Sequence, residues 1–266
     1  MNNPNSEALS SNRFVSEIKR IALKSEESYL AAKNKLIRYV ATEVSDVFDK
    51  EDELIAQVQS NQLSQVLLLW QVKSPTLVLP AGRKWPVSEE LNNALDNTGW
   101  KLFSRKTGGA PVPQVPGIIN LSHIYHWPED QPYDIKKAYL DLCAILTVFF
   151  EQLGVKVDVH ATPYSYCDGE YNLNIGGQKV VGTAQRVLLK KGGGKVVLSQ
   201  ACILIDANVD KIVEPVRLCN QLCGHSNDIR GDVHTPLFDH IEQRPSVDSL
   251  FQHLTSAFLE HARTGK

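Results

Sequence analysis

The chain has 266 residues, of which 42% are hydrophobic and 22% charged, and its formal net charge is -2. These proportions are typical of a water-soluble globular protein. Because binding to nucleic-acid phosphates needs a clustered cationic surface, the near-neutral charge gives no reason to expect a nucleic-acid partner.

No apolar run approaches the roughly 20 residues that a membrane helix needs. Residues 1–13 are polar and rich in Asn and Ser, unlike a signal peptide. We therefore expect a cytoplasmic protein without a membrane partner. The five cysteines are an odd number and accompany no export signal, which favours free thiols over a disulfide framework.

The first part of the chain predicts a helix followed by short strands. Residues 1–13 are expected to be a flexible N-terminus, and residues 14–61 predict helix because apolar residues recur at helical spacing without Gly or Pro. A second helix is predicted over 87–98, beginning at Ser88. Short apolar runs predict strands at 65–71, 76–80 and 101–104, followed by a Gly- and Pro-rich loop over 107–117.

The second part predicts a long helix, two hairpins and a closing helix. Residues 135–153 have helical apolar spacing and end at Gly154. Hairpin turns are predicted at Gly176-Gly177 and at the three glycines 192–194. Further strands are predicted at 118–122 and 155–159, and an amphipathic helix is predicted over 247–262.

No internal repeat or long linker interrupts this order of elements. Residues 14–266 therefore predict a single α+β domain with a mixed or antiparallel central sheet flanked by helices. The sequence after Phe238 is too short for a separate C-terminal accessory domain, so none is expected.

Three segments combine residue types that suit chemistry. The first extends from Ser104 to His123 and begins Ser-Arg-Lys-Thr-Gly-Gly. Its adjacent Gly108 and Gly109 let the backbone approach a ligand closely, and Arg105 adds a cation. The second is SYCDGEYNLNIGGQKVVGTAQR, residues 165–186. The third is Val-Leu-Ser-Gln-Ala-Cys-Ile-Leu-Ile, residues 197–205.

The order RxxGG, then Asn, then GxKVxGxAQ resembles the biotin/lipoate protein ligase superfamily. SYCxGxYNLxIGGxKVVGxAQR is most similar to the cysteine-dependent octanoyltransferases that move octanoyl from the glycine-cleavage H protein to other lipoyl domains. The resemblance implies a class II biotin/lipoate ligase-like catalytic fold. It also implies that Cys167 is the nucleophile and Lys179 the partner of the acyl carbonyl. The substrate-binding residues that it implies are Arg105, Gly108, Gly109, Asn120 and Gly182.

The residue types fit an acyl transfer. A thiolate attacks a carbonyl, and a lysine amine then opens the resulting thioester. A nearby ammonium, such as Lys179, would favour the thiolate and stabilise the oxyanion of the tetrahedral intermediate. The structural alternatives are a buried packing cysteine for Cys167 and an exposed hairpin lysine for Lys179.

Other candidate sites are weaker. The three glycines before Lys195 are followed by β-branched Val196, which favours a hairpin turn over a phosphate loop. The pattern from Cys219 to His225 lacks a fourth zinc ligand at a usual spacing, so no metal site is predicted. Cys143 and Cys202 lie in apolar surroundings and are expected to be packing residues.

The chain differs from lipoate ligases at four positions. Ala110 and Gln114 replace a third glycine and a histidine in the first segment. Gln200 and Ala201 replace a histidine and a glycine further along. These differences disfavour activation by ATP, because the first loop holds the acyl-adenylate in ligases.

The leading hypothesis is therefore a transfer that requires no cofactor, with octanoate or lipoate as the acyl group. The expected partners are the glycine-cleavage H protein, the E2 subunits of 2-oxoacid dehydrogenases or an acyl carrier protein. One alternative is a lipoate or biotin ligase that uses ATP and Mg, with Lys179 at the adenylate carbonyl. A second is a catalytically silent module that binds acyl groups or carrier proteins.

Overall fold

The structure is a computed structural model that describes residues 34–190 and 192–264. The expected flexible N-terminus, residues 1–13, lies outside the described residues, as does the part of the predicted 14–61 helix before residue 34. Among the described residues, no helix has both the length and the apolar character required to cross a membrane.

The described part of the chain contains ten strands and five α-helices. The strands are β1 (Asn34–Thr42), β2 (Gln65–Val72), β3 (Thr76–Leu79), β4 (Lys101–Ser104), β5 (Val112–Gln114), β6 (Ile118–Trp127), β7 (Asp158–Val159), β8 (Leu173–Ile175), β9 (Gln178–Leu189) and β10 (Lys195–Leu204). The helices are α1 (Val44–Gln59), α2 (Glu89–Asp96), α3 (Ile135–Gln152), α4 (Val209–Leu222) and α5 (Val247–Thr264).

The strands form two sheets. Seven of them have the order β1-β2-β6-β10-β9-β8-β7, and three form a small sheet of order β4-β3-β5. The large sheet is mixed, because β1 and β2 are parallel whereas the other pairs are antiparallel. The predicted α+β class, with a mixed sheet flanked by helices, is confirmed.

The helix predicted over 14–61 is wrong for residues 34–42. These residues form the edge strand β1, which pairs in parallel with β2 through Leu36↔Leu67 and Ile37↔Leu68. Their β-branched and aromatic side chains fit a pleated surface, and pairing with β2 decides between two periodicities that both match a short segment. The helix itself begins at Val44.

The strand predicted over 155–159 is mostly wrong, since only Asp158 and Val159 pair with β8. Val155 and Val157 instead pack into the core. Both predicted hairpins are confirmed, and β9 runs unbroken from one turn to the other. The helix predicted over 87–98 is confirmed, with the Ser88 side chain accepting a hydrogen bond from the Leu91 N–H.

The two faces of the large sheet are covered differently. Helices α3 and α5 pack on one face, where Ile119, Leu121 and Ile203 join Phe149 and Leu250 in the largest core cluster. On the opposite face, helix α1 covers one part and the small sheet with α2 and α4 covers another.

A gap bounded by α1, the small sheet and the large sheet remains on this face. The strand positions beneath it carry polar or small side chains. Asn120 and Ser122 of β6 pair with Cys202 and Gln200 of β10, respectively, so all four share this face. The gap is the cavity that contains the candidate site.

Candidate active site

The cavity crosses four neighbouring strands, β2, β6, β10 and β9. Three inter-strand spacings of about 4.8 Å give it a length of about 14 Å. Its empty volume, the open mouth included, is about 610 Å³. The lining residues that matter below are Phe48, Trp70, Val78, Arg105, Gly109, Gln114, Asn120, Ser122, Tyr166, Cys167, Lys179, Gly182, Gln200 and Cys202.

Cys167 lies at one end of the cavity, in the loop between β7 and β8, and is partly exposed. Its main-chain carbonyl accepts three hydrogen bonds. The donors are Ser165 Oγ at 2.8 Å, Asn172 Nδ2 at 2.8 Å and Lys179 Nζ at 2.5 Å. The loop is therefore fixed at the cysteine itself, and Cys167 is both partly exposed and part of the cavity lining.

Lys179 reaches this point because of the hairpin that precedes it. Gly176 and Gly177 have φ values of 57° and 83° and form the two-residue turn between β8 and β9. The Lys179 side chain is fully buried, with Nζ 4.2 Å from the centroid of the Tyr166 ring. Burial lowers the pKa of this ammonium group, and the nearby Cys167 and Cys202 sulfurs oppose that shift.

Gly182 provides the space for this lysine. A Cβ atom at Gly182 would lie 3.2 Å from Lys179 Cε and 3.3 Å from Lys179 Nζ. Such contacts are tighter than ordinary van der Waals distances, so a side chain here would displace the amine. The second glycine of the GxKVxG pattern, Gly182, thus has a specific steric role beside the candidate catalytic pair.

Arg105 is a second buried cation, located where β4 ends. Its Nη2 donates to the carbonyls of Gly108 at 2.9 Å and Ala110 at 3.0 Å. Gly109 has a φ of 109°, and a Cβ there would lie 3.1 Å from Nη2. The loop therefore wraps around the guanidinium group. Gly108 differs, since it contributes its carbonyl and has open space where a Cβ would be.

In the described residues, neither Lys179 nor Arg105 forms an ion pair with a carboxylate. Buried charges in proteins are normally paired, because an isolated charge loses its hydration. Two such cations beside one cavity favour an anion within it, such as a thiolate or an oxyanion.

Asn120 contributes to a pair of buried amides on the cavity wall. Its Nδ2 donates to Gln114 Oε1 at 2.7 Å, and Gln114 Nε2 donates to Asn120 Oδ1 at 2.9 Å. Gln114 Nε2 also lies 3.7 Å from Cys202 Sγ. Burial raises the pKa of the Cys202 thiol to about 11, so this second cavity thiol stays protonated at neutral pH.

The other end of the cavity is apolar. Phe48 of α1, Trp70 of β2 and Val78 of β3 line it. The Phe48 and Trp70 rings meet edge to face, with their centroids 6.0 Å apart. The cavity thus has a polar end at Cys167 and Lys179 and an apolar end suited to a hydrocarbon tail.

A buried carboxyl group contacts two residues of the cavity wall without lining the cavity itself. Glu51 of α1 accepts hydrogen bonds from Ser122 Oγ at 2.6 Å and from Gln200 Nε2 at 2.9 Å. Burial raises the pKa of Glu51 to about 7. Sequence patterns offered no means of selecting it, because Glu51 stands among several other charged residues of α1.

Most of the site residues proposed from the sequence come together here. One cavity is lined by Cys167, Lys179, Arg105, Gly109, Asn120 and Gly182. Gly108 is outside the lining and accepts a hydrogen bond from Arg105 through its carbonyl. Two assignments from the sequence were incomplete. Cys202 packs as expected but also lines the cavity, and Gln114 and Gln200, noted only as departures from the ligases, are part of its wall.

Comparison with known families agrees with this geometry. The family model for the lipoyl protein ligase A/B catalytic domain matches residues 43–259. The chain belongs to this family. The match includes every residue named above as lining the cavity.

Several curated proteins are similar to the chain in sequence. An uncharacterised protein of Cupriavidus necator is 31% identical over 168 residues, 59% of this chain and 66% of that protein. An octanoyl-GcvH:protein N-octanoyltransferase of Geobacillus kaustophilus is 29% identical, covering 59% of this chain and 54% of the relative. Its counterpart in Bacillus velezensis is 27% identical, covering 80% of this chain and 74% of the relative. The chain thus spans about half to two thirds of the first two.

Solved structures show the same fold. Lipoate-protein ligase A bound with ATP superposes with a TM-score of 0.69 at 16% identity, covering 87% of this chain and 86% of the other. An archaeal bipartite lipoate protein ligase from Thermoplasma acidophilum gives a TM-score of 0.60, also at 16% identity, with coverage of 87% and 84%. The predicted lipoate ligase-like catalytic fold is confirmed.

Proposed function

We propose that this chain transfers an octanoyl or lipoyl group to the lysine of a lipoyl domain through a thioester on Cys167. One observation carries the proposal. The Cys167 loop and the buried Lys179 ammonium meet at the polar end of a cavity whose other end is apolar. The names of relatives that move octanoyl from GcvH to protein support the same reaction.

In the first half-reaction, the Cys167 sulfur attacks the carbonyl carbon of the donor's acyl-lysine amide. A C–S bond forms and the C–N bond breaks, and the donor lysine leaves as an amine that carries the proton from the thiol. Lys179 donates to the oxyanion of the tetrahedral intermediate, as backbone amides do in an oxyanion hole. The hydrocarbon tail lies toward Phe48 and Trp70.

In the second half-reaction, the amine of an acceptor lysine attacks the thioester carbonyl. The new C–N bond replaces the C–S bond, and the amine proton passes to the departing Cys167 sulfur. Because the bond broken in the donor and the bond formed in the acceptor are both lysine amides, no nucleotide is needed to drive the exchange. The enzyme therefore acts without ATP, Mg or another cofactor.

The proposed donor is an octanoylated protein of the glycine-cleavage H type, and the proposed acceptors are E2 lipoyl domains. An acyl carrier protein is an alternative donor, since its thioester would give the same acyl-enzyme. The partly exposed position of Cys167 supports access by a protein-bound acyl-lysine, whose chain enters the cavity with the carbonyl at its mouth.

The experiment is intact-mass measurement after mixing the protein with octanoylated H protein. The wild type is expected to gain one octanoyl group, which hydroxylamine removes because it is a thioester. Cys167→Ala is expected to gain none. Cys223→Ala removes a partly exposed thiol outside the cavity and serves as the matched control. An unchanged adduct and normal turnover in Cys167→Ala would refute the acyl-enzyme.

Two other outcomes would identify the alternative functions. Pyrophosphate exchange that depends on free octanoate, lipoate or biotin with ATP and Mg would show a ligase that needs no thiol. Tight binding of lipoyl domains without turnover from any donor would show a silent binding module. Cys202→Ala separates the two cavity thiols, because an adduct lost only in that variant would assign the nucleophile to Cys202.

A further inference from the structure

The segment that follows α4, residues 230–235, contacts both halves of the candidate site. The Lys179 N–H donates to the Val233 carbonyl at 2.8 Å, and the Thr235 N–H donates to the Lys179 carbonyl at 2.9 Å. The Arg230 N–H donates to the Tyr164 carbonyl at 2.9 Å. The segment therefore links the strand that carries Lys179 to the loop that carries Cys167.

His234 is the side chain at the centre of this link. It is buried, and its ring stacks on that of Tyr166 with centroids 4.8 Å apart and planes within 6°. The Tyr166 N–H donates to His234 Nε2 at 3.4 Å. Tyr166 immediately precedes Cys167, and its ring lies beside the Lys179 ammonium. His234 thus contacts Tyr166, which is next to the proposed nucleophile Cys167 in the chain and next to the Lys179 ammonium in space.

The protonation of His234 follows from its neighbours. Nδ1 lies 3.0 Å from the Arg230 carbonyl, so Nδ1 carries the proton and donates. Nε2 is then free to accept from Tyr166. Burial, with the nearby Lys179 charge, lowers the pKa of His234 to about 4. The ring is therefore neutral at physiological pH, and it adds no third cation beside Lys179 and Arg105.

We propose that His234 is a positioning residue, which orients the Cys167 loop and the Lys179 ammonium relative to each other through Tyr166. It does not line the cavity, and its accepting nitrogen is occupied by a main-chain N–H. A role as general base toward the thiol does not fit these contacts. The inference rests on the proposed function of Cys167 as acyl acceptor.

The test compares three variants of His234. His234→Ala removes the hydrogen bond and the stacked ring, so the acylation rate at saturating donor should fall about 10- to 100-fold. The KM for the donor protein should stay constant, because His234 is buried below the surface that a carrier would touch. His234→Gln retains an acceptor and a donor and should recover part of the rate. His234→Phe retains a ring but leaves the Tyr166 N–H unpaired, and should not.

His123 offers a matched control. It is also a histidine with a lowered pKa, about 3, and it stacks on a tyrosine, Tyr125, with centroids 4.3 Å apart. It packs against Phe258 of α5, on the opposite side of the large sheet from the cavity. His123→Gln should therefore change the unfolding free energy without changing the acylation rate.

A second readout does not depend on acyl chemistry. The rate at which iodoacetamide alkylates Cys167, followed on the peptide that contains it, should also change in His234→Ala and recover in His234→Gln. Should wild type accept no acyl group while this pattern persists, the positioning role stands and the proposed function fails. Should the His234→Ala variant not fold, the Gln and Phe variants, which keep most of the volume, carry the comparison.

Three results would overturn the positioning role. The first is an acylation rate and an alkylation rate in His234→Ala equal to those of wild type. The second is an equal loss in His123→Gln, which would indicate general loosening of the fold. The third is a Gln variant no better than the Phe variant, which would show that the hydrogen bond to Tyr166 has no role.

Discussion

The two faces of the large sheet are built from the same strands but have different properties. On β6, Ile119 and Leu121 contribute to the core beneath α3 and α5, whereas Asn120 and Ser122 face the cavity. Alternate residues of a strand point to opposite faces. The cavity wall is therefore backed by a closely packed core, and its polar groups have positions as fixed as those of core side chains.

The difference also concerns charge. The core cluster on the α3 and α5 face consists of apolar side chains, whereas the cavity face holds the Lys179 and Arg105 cations and the carboxyl of Glu51. Such groups are costly to bury and contribute little to folding. We infer that the cavity face is organised for binding and chemistry, and the opposite face for stability. Substitutions on the two faces should separate these properties.

The largest effect is expected at Lys179. Lys179→Met removes the ammonium that would stabilise the oxyanion, so the acylation rate should fall about 10²–10³-fold, or roughly 3–4 kcal/mol. The unfolding free energy should change little, because no carboxylate among the described residues loses its partner. Single-turnover acylation and urea unfolding measure the two quantities. A variant that loses stability but keeps the wild-type acylation rate per folded molecule would reverse the assignment of this face.

Next is the matched pair Ile119 and Asn120. Ile119→Ala removes a fully buried core side chain and should lower the unfolding free energy by about 3 kcal/mol, with acylation by the folded protein unchanged. Asn120→Ala should lower the acylation rate in addition to the unfolding free energy, because it leaves the Gln114 amide unpaired in the cavity. Denaturant titration and acylation rates test the pair. Equal effects of both variants on both measurements would break the contrast between the faces.

The third prediction concerns pH and Glu51. Folding raises the pKa of this carboxyl from 4.5 to about 7, so its contribution to stability is full below pH 4.5 and is lost as pH rises through 7. Glu51→Gln has no such loss. Relative to wild type, its unfolding free energy should rise by up to about 3 kcal/mol between pH 4.5 and 8.

His234 and His123, whose pKa values are lowered, give the opposite trend, since wild-type stability falls as pH drops below about 6.5. Both histidines are present in wild type and variant, so the difference between the two unfolding curves isolates Glu51. A difference that stays constant across this pH range would show that the carboxyl is not buried as described.

The smallest effect is expected at Gly182. Gly182→Ala places a Cβ 3.3 Å from Lys179 Nζ and displaces the amine by a few tenths of an ångström. The acylation rate should fall about tenfold, or about 1.4 kcal/mol, with little change in thermal stability. Gly194→Ala, in the turn between β9 and β10, is a comparison away from the cavity: Gly194 has a φ of 83°, so Ala there should strain the turn and lower thermal stability without changing the acylation rate. A rate equal to wild type in Gly182→Ala would remove the steric role.

Local patterns predicted much of this arrangement. The paired glycines of the β8–β9 turn and the apolar spacing of α3 were sufficient to locate those elements. The pattern around Cys167, Lys179 and Gly182 pointed to a loop and a hairpin that the fold brings together at one cavity. For β1, by contrast, the spacing of Ile37 and Val40 fits a helix whereas that of Ile37 and Tyr39 fits a strand, and only pairing with β2 decides between them.

Residues that act through distant contacts were not predictable in this way. Glu51 is distinguished from the other charged residues of α1 by its hydrogen bonds with Ser122 and Gln200, which are 71 and 149 residues away along the chain. His234 reaches Tyr166 across 68 residues. Neither lies in a recognisable pattern, because its environment is created by the packing of separate elements against each other.

The main-chain carbonyl of Cys167 has more donors than it can fully use. A carbonyl oxygen has two lone pairs, but Ser165, Asn172 and Lys179 all donate to it. If the lysine turns toward a substrate oxygen, the two neutral donors still satisfy the carbonyl and keep the loop in place. The Lys179 ammonium group can thus leave this carbonyl without displacing the loop that carries the proposed nucleophile, Cys167.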